Sequence, residues 1–331
     1  MIRIGLIGVG RGARQLLPVL SQHPHVRLTA AADVRQAALD QLSVETFTSV
    51  EAMCSSDSVD AVWVATPNHL HAEHAIIAAE HRKHVIVSKP MAITLEEAEA
   101  MTAAAERNGV VLLAGHTQSM APTIRAMADI VQRGELGRLG MLHTWHFTDW
   151  MYRPRQPDEF DASRGGGPVF RQASHQVDIL RTIAGRAIHS VRATTVNLDS
   201  AYEVPGAYTV FLNFEDGTPA TIVYSGYGHL NTQAPGGRST SLGMFGTTTV
   251  TCEHGDIRES ADGLLIYSRD GLREVQIADE LRGTAELDEL YAAVHDGKAV
   301  RHDGQWGLAT LEVCLAIHES SRTRQEIVLS R

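Results

Sequence analysis

Five short apolar runs punctuate the first 120 residues: Arg3–Ile7, Arg27–Ala32, Ala61–Ala65, His84–Ser88 and Val111–Ala114. Each is apolar at successive positions rather than alternate ones, the pattern of strands covered on both faces in a parallel sheet. Between them, apolar residues recur at helical spacing over Ala13–Gln22, His69–His81 and Leu95–Asn108. This alternation predicts a doubly wound α/β domain over residues 1–121. After Pro122 the rhythm changes. A helix to about Arg133 leads out at Gly134-Glu135-Leu136-Gly137. Strand-like segments then succeed one another at Met141–Asp149, Ser190–Asn197, Tyr208–Phe214, Thr218–Tyr224, Thr247–Cys252, Leu264–Ser268 and Glu274–Ile277. Glu215-Asp216-Gly217 and Arg269-Asp270-Gly271 read as hairpin turns, with Asp-Gly supplying positive φ. Residues 122–331 are therefore expected to form an α+β domain with an open, mainly antiparallel sheet. It would hold one helix from near His175 and two closing helices, Thr284–His295 and Gly304–Ser320.

Composition narrows the class. The 331 residues carry a formal charge of −10 with no basic run, which argues against a nucleic-acid partner. No apolar run approaches the ~20 residues of a membrane span. A strand begins almost at Met1, leaving no room for a signal peptide. Cys54, Cys252 and Cys314 are odd in number and widely spaced, as expected of reduced thiols in a cytoplasmic protein. The 17 histidines are scattered, and no metal site is expected from them.

Candidate chemistry begins at the first strand's end. Gly8-Val9-Gly10-Arg11-Gly12-Ala13 fits G-x-G-x-x-A and opens a helix, so its backbone N–H groups could face a pyrophosphate. The second strand ends at Asp33, placed to accept hydrogen bonds from a ribose 2′-hydroxyl and to repel a 2′-phosphate. NAD is thus favoured over NADP, although Arg35 could hold a phosphate. Thr66-Pro67-Asn68 ends a further strand on the same edge. Asn68 could cap the following helix, the whole turn could lie along the cofactor's nicotinamide half, or both could hold. His71, His74 and His81 on that helix read as surface or packing histidines.

Two proton carriers stand out. Val85-Ile86-Val87 runs into Ser88-Lys89-Pro90, which fixes a lysine at a strand's carboxyl end. Gly165-Gly166-Gly167 leads into Gln172-Ala173-Ser174-His175, putting His175 in a helix's first turns, with the glycines permitting close backbone approach to a ligand. Lysine and histidine can both be tuned towards neutrality. Together with a nucleotide loop they suggest hydride chemistry with acid–base assistance. Which of the two would be the base is left open.

Thr66-Pro67-Asn68-x-x-His71, Lys83-His84-Val85, Ser88-Lys89-Pro90 and the Gly165–Asp178 stretch resemble the glucose–fructose oxidoreductase / inositol dehydrogenase / MocA (Gfo/Idh/MocA) family over nearly the whole chain. The resemblance implies a Rossmann domain, an open sheet lining a substrate cleft, and Lys89 with His175 as the catalytic pair. It also marks departures. Ser88 stands where the family usually has Glu, and Arg171 stands where it commonly has Asp. Within the family, Phe147–Pro157, His175–Ile179, Tyr224–Tyr227 and Trp306–Thr310 are similar to the phthalate cis-4,5-dihydrodiol dehydrogenase group.

The charges near the histidine point the same way. Arg153, Arg155, Arg164 and Arg171 flank the glycine turn or the strand feeding it, and guanidinium forks suit carboxylates. The competing reading pairs them with Asp158, Glu159 and Asp161. If it lies near His175, Arg171 would lower the pKa of the imidazole. The expectation is an NAD-dependent dehydrogenase acting on a secondary alcohol of an anionic ring, assembled as a homodimer or homotetramer. Substrate contacts would come from Arg153, Arg155, Arg171 and His175. The alternatives are a sugar or inositol dehydrogenase on the same scaffold, a family member using the same hydride chemistry on a different carboxylated ring, and a non-catalytic NAD(H)-binding regulator.

Overall fold

A computed structural model describes residues 1–228 and 247–330. By contact they divide into two units: residues 1–117 with 280–311, and the described residues of 118–279 with 312–330. In the first, β1 (Ile2–Ile7), β2 (Val26–Ala32), β3 (Glu45–Phe47), β4 (Ala61–Val64), β5 (His84–Ser88) and β6 (Leu112–Gly115) form a parallel sheet in the order β3-β2-β1-β4-β5-β6. The edge strand β3 is absent from the sequence expectation because Glu-Thr-Phe is short and half-solvated. The expected helix Ala13–Gln22 is instead α1 (Arg11–Arg14) and α2 (Leu17–Gln22). Pro18 has no N–H to give and its ring crowds the carbonyl of Arg14, so continuous α geometry fails there. The chain takes tighter bonds at the break, Gln15 N–H to Gly12 O and Leu16 N–H to Ala13 O. Then come α3 (Gln36–Leu39), α4 (Val50–Cys54), α5 (His71–Glu80) and α6 (Leu95–Asn108). A Thr94/Glu97 capping box starts α6, and Gly109 at φ 65° ends it.

In the second unit, α7 (Pro122–Gln132) and α8 (Ser174–Ala184) pack together. The described strands of its sheet are β7 (Leu139–Phe147), β8 (Ile188–Val196), β9 (Ala207–Phe214), β10 (Pro219–Ser225), β11 (Thr247–Cys252), β12 (Gly255–Ser260), β13 (Gly263–Ser268), β14 (Gly271–Gln276) and β15 (Ile327–Val328). Their order is β14-β13-β12-β11-β7-β10-β9-β8-β15. Neighbours are antiparallel except β7 with β10. Period-2 burial sorts the faces: Tyr208, Val210, Leu212 and Phe214 are inside, Thr209 and Phe211 outside. The inner face shares one core with Val177, Leu180 and Ile183 of α8. Gly217 (φ 82°) and Gly271 (φ 113°) sit at the two expected hairpin turns.

A single cut at 121/122 does not describe the contacts, because residues 280–311 belong with the first unit. The reason lies in one row of side chains. Trp63, Ile86 and Leu113 are register partners on β4, β5 and β6 and so point to the same face. Their cover comes from α9 (Thr284–Asp296), whose Leu287 and Leu290 join them and Leu16 in one core. Gly283 (φ 97°) opens that helix where a Cβ would stand 3.1 Å from both Trp63 and Val19. The last helix, α10 (Gly304–Thr323), gives Val313, Cys314 and Ile317 to the core of the second unit. Among the described residues, no helix is long and apolar enough to cross a membrane.

Candidate active site

The nucleotide loop lies where the order of the parallel sheet reverses, between β1 and β4, the place such sheets keep for ligands. Gly8 has φ 87°, and a Cβ there would meet Thr66 Cγ2 at 2.9 Å and Ala65 O at 3.0 Å. Only glycine allows the loop to rest on the Thr66 turn. Gly10 and Gly12 differ: a Cβ at either would meet nothing within 4 Å, and no side chain caps α1. Ala13 is buried where α1 meets the sheet, and Arg11 stands exposed at the start of the helix. Open backbone at a helix start is what a dinucleotide's pyrophosphate requires, so these residues fit NAD.

Asp33 is tied into the same loop. Its carboxylate accepts the Val9 N–H at 2.8 Å and the Arg35 N–H at 2.9 Å, while the Arg35 side chain grips both oxygens. The Asp33 side chain is 7% exposed and that of Arg35 61%, so the cation sits on the solvent side of the pair.

Thr66-Pro67 leads into a 3-10 turn, Asn68–Leu70, before α5. Asn68 is buried at the start of that turn. α5 itself begins at His71, with Leu70 in its N-cap position. Lys89 is half-buried just beyond β5, its bond to Pro90 is cis, and the preceding Ser88 Oγ accepts the indole N–H of Trp63 at 3.3 Å. His71 is buried between these turns, Nδ1 at 2.8 Å from Pro90 O and Nε2 at 2.8 Å from Thr66 O. Sequence reasoning passed over these contacts. The signal was its fixed distance from Thr66-Pro67-Asn68.

In the second unit His175 is the second residue of α8 and is buried, 3% exposed. A π-helical turn, Val169–Ala173, precedes α8, so Arg171 and His175 are not related by a regular α-helical turn. Two of the three glycines are required by close packing within the chain. A Cβ on Gly166 would lie 2.6 Å from Asp161 O, and one on Gly167 (φ 85°) 2.8 Å from Val204. Gly166 N–H bonds Asp161 O and Gly167 N–H bonds Glu159 O, folding residues 159–167 back on themselves.

That fold gathers the arginines around carboxylates. Arg155 Nη1 and Arg171 Nη2 reach the same oxygen, Glu159 Oε1, at 3.2 and 3.1 Å. Glu159 Oε2 accepts the Gln156 N–H, and Arg155 also lies 4.2 Å over the Trp150 ring. Burial lowers the pKa of Arg155, with Glu159 opposing. Arg153 pairs with Asp149 at 2.5 Å, and Arg164 with Asp161 at 3.5 Å. The ion-paired reading thus describes Arg155, Arg164 and Arg171, whereas Arg153 pairs with Asp149, an acid that reading did not include. Among the described residues no group of three or more His, Cys, Asp or Glu is arranged to hold a metal.

Comparison with known proteins extends this picture. Residues 2–116 match the model of an oxidoreductase family with an NAD-binding Rossmann fold, and residues 124–258 that of the Gfo/Idh/MocA C-terminal domain. A 1-carboxy-3-chloro-3,4-dihydroxycyclohexa-1,5-diene dehydrogenase of Comamonas testosteroni is 29% identical over 377 aligned positions, covering 97% of this chain and 95% of its own. A solved structure from Bordetella bronchiseptica RB50, provisionally named a dehydrogenase, has 34% identity and a TM-score of 0.91 over 99% of this chain and 100% of that one. The WlbA dehydrogenase of Bordetella pertussis, solved with NADH and UDP-GlcNAcA, has 26% identity and a TM-score of 0.80 over 100% of this chain and 98% of that one.

Proposed function

The chain belongs to the Gfo/Idh/MocA oxidoreductase family and carries its NAD-binding Rossmann domain, and from this premise we propose that it oxidises a ring secondary alcohol on a carboxylated cis-dihydrodiol, as a step in aromatic catabolism. The observation that carries this reading is the near end-to-end similarity to a dehydrogenase of a carboxylated dihydroxycyclohexadiene. Two guanidiniums drawn to one carboxylate, Arg155 and Arg171 on Glu159, support it, because a second carboxylate of similar geometry could share them.

Gly8, Gly10, Arg11, Gly12, Ala13, Asp33, Arg35, Thr66, Pro67 and Asn68 are assigned to NAD, which when bound supplies the hydride acceptor. Lys89 and His175 are assigned to the substrate hydroxyl. One takes its proton as the carbinol hydride leaves, and the other hydrogen-bonds the same oxygen. Arg153, Arg155 and Arg171 are assigned to the ring's carboxylate. The ketone left by a dihydrodiol tautomerises to a catechol, and aromaticity makes the reaction effectively one-way.

A sugar or inositol dehydrogenase is the second reading. It is favoured by the ion pairing of every arginine in the 149–171 segment, which leaves a neutral polyol unopposed. A panel of cis-dihydrodiols of aromatic acids against sugars and inositols, read by NADH absorbance, tests the two. Turnover confined to the polyols would overturn the first. We further propose a cytoplasmic homodimer or homotetramer joined through the outer sheet face, where Met141, Trp145 and Phe211 are exposed. Sedimentation of Trp145→Glu beside the parent checks it; an unchanged mass excludes that face.

A further inference from the structure

Both ring nitrogens of His71 face carbonyl oxygens at 2.8 Å, those of Pro90 and Thr66, and the residue is 1% exposed. A carbonyl oxygen only accepts, and a neutral imidazole has one N–H to give. Either neutral tautomer would set a nitrogen lone pair against an oxygen lone pair across one of these contacts. The imidazolium alone donates to both. We propose that His71 is a buried imidazolium acting as a positioning strut between the Thr66-Pro67 turn and Lys89-Pro90.

The strut joins two loops that the sheet does not hold. β4 and β5 pair only as far as Val64 and Val87, and beyond them the chain departs into the 3-10 turn before α5 on one side and into Pro90 on the other. His71 stands at the first position of α5 and fastens both departures to one rigid ring. Thr66 is assigned to the nicotinamide half of the cofactor and Lys89 to the substrate proton, so the strut would fix the spacing between those two tasks.

Burial works against a cation, and two charge-assisted hydrogen bonds work for it. Several titratable groups lie on α5 and on the elements packed against it. His74, one turn on, has Nδ1 3.1 Å from Thr66 Oγ1, and burial lowers its pKa, so it stays neutral near pH 7. His69 lies in the turn ahead of α5, and Lys89 at the end of β5 adds a like charge. β4 carries no titratable group. On the helices beside α5, Glu51 lies 3.7 Å from His81 and Glu97 closes the capping box with Thr94. Glu73, Glu80, Glu96 and Glu99 are exposed. The two carbonyl contacts are what favours the charged ring here. A buried imidazolium at neutral pH requires a folded pKa above the ordinary ~6.5. The stabilisation is complete below that value and is lost as pH rises through the folded pKa.

Nitrogen-15 NMR of the histidine-labelled full chain tests the ionisation, with the His71 signals identified by their loss in His71→Gln. Both ring nitrogens should appear protonated at neutral pH. A neutral tautomer there overturns the proposal. NAD binding by fluorescence tests the strut without any substrate. His71→Gln keeps one N–H tie and His71→Leu keeps none, so affinity at neutral pH should fall about threefold and about tenfold respectively. The parent's loss of affinity at alkaline pH should vanish in both variants. Equal affinity and pH dependence in all three proteins would overturn the strut. The task given to Lys89 rests on the proposed function, whereas the ionisation of His71 does not. A failed substrate panel with a protonated His71 would remove the former alone.

Discussion

Arg35 forks onto the carboxylate of Asp33, Nε donating to Oδ1 at 2.9 Å and Nη2 to Oδ2 at 2.8 Å. Burial would raise the pKa of this acid. The Arg35 fork and the backbone N–H groups of Val9 and Arg35 outweigh it and hold the carboxyl down to about 2. Asp33 is thus an anion throughout the neutral range. Its contribution to stability is present above the ordinary ~3.9 and is lost as pH falls through the folded value. Asp33→Ala should weaken NAD binding and narrow the gap to NADP, because an acceptor and a charge that repels phosphate are both removed. Arg35→Ala should do the opposite, freeing Asp33 oxygens and widening the gap. Dissociation constants for both cofactors, from fluorescence, check this; an unmoved ratio in both variants would make the pair a turn device only.

Lys89→Ala should lower kcat by about 10²–10⁴, the usual cost of a lost proton-transfer group, with NAD affinity little changed. Initial rates on whichever alcohol proves active decide it. Near-normal turnover would remove Lys89 from the chemistry.

Arg171→Gln should raise KM for a carboxylated substrate about ten- to a hundredfold and leave an uncarboxylated analogue nearly untouched, since a charge-assisted contact contributes about 1.5–3 kcal/mol. Glu159→Gln should shift KM for the anion the other way, because Glu159 already occupies both Arg155 and Arg171. Equal effects of Arg171→Gln on the two substrates would return the sugar or inositol reading.

Glu286 in α9 is wholly inside the first unit. Burial pushes its carboxyl up to about 7, against the pull of Arg282 and His302, and its Oε1 has no hydrogen-bond partner among the described residues. The native state should therefore hold a proton that the unfolded chain gives up above ~4.3. Stability should decline as pH rises from there to about 7 and level off beyond. Glu286→Gln should flatten that slope and stabilise the protein at alkaline pH by on the order of 3 kcal/mol. Melting temperatures across pH test it; parallel curves for variant and parent would refute the assignment.

The doubly wound sheet was legible because β1, β2, β4, β5 and β6 are buried on both faces and so leave unbroken apolar runs. β3 was not, since an edge of three residues needs little apolar character. That α9 covers β4–β6 was hidden for a different reason. Leu287 and Leu290 announce an amphipathic helix, but only the row of Trp63, Ile86 and Leu113 says which sheet it covers. At the candidate site the glycine loop and Asp33 could be read from local chemistry. Glu159 could be named as one acid near the arginines but not as the shared partner of Arg155 and Arg171, because its meeting with Arg171 depends on the backward fold of residues 159–167. His71 was visible as a motif member, yet its two carbonyl partners are 5 and 19 residues away, and no spacing rule foretells them.

The placing of β7 at the middle of its sheet bears on how the chain reaches this state. β7 ends at Phe147, while its two neighbours begin only at Pro219 and Thr247. None of its pairing is local, so its partners must be captured across long closures, a topology of high contact order and correspondingly slow folding. Arg153, Arg155, Arg171 and His175 all lie inside the loop that the β7–β10 seam closes. A nascent chain stopped short of Pro219 would carry all four of these residues while β7 still lacked a partner on either edge, so their final arrangement waits on chain that is made after them.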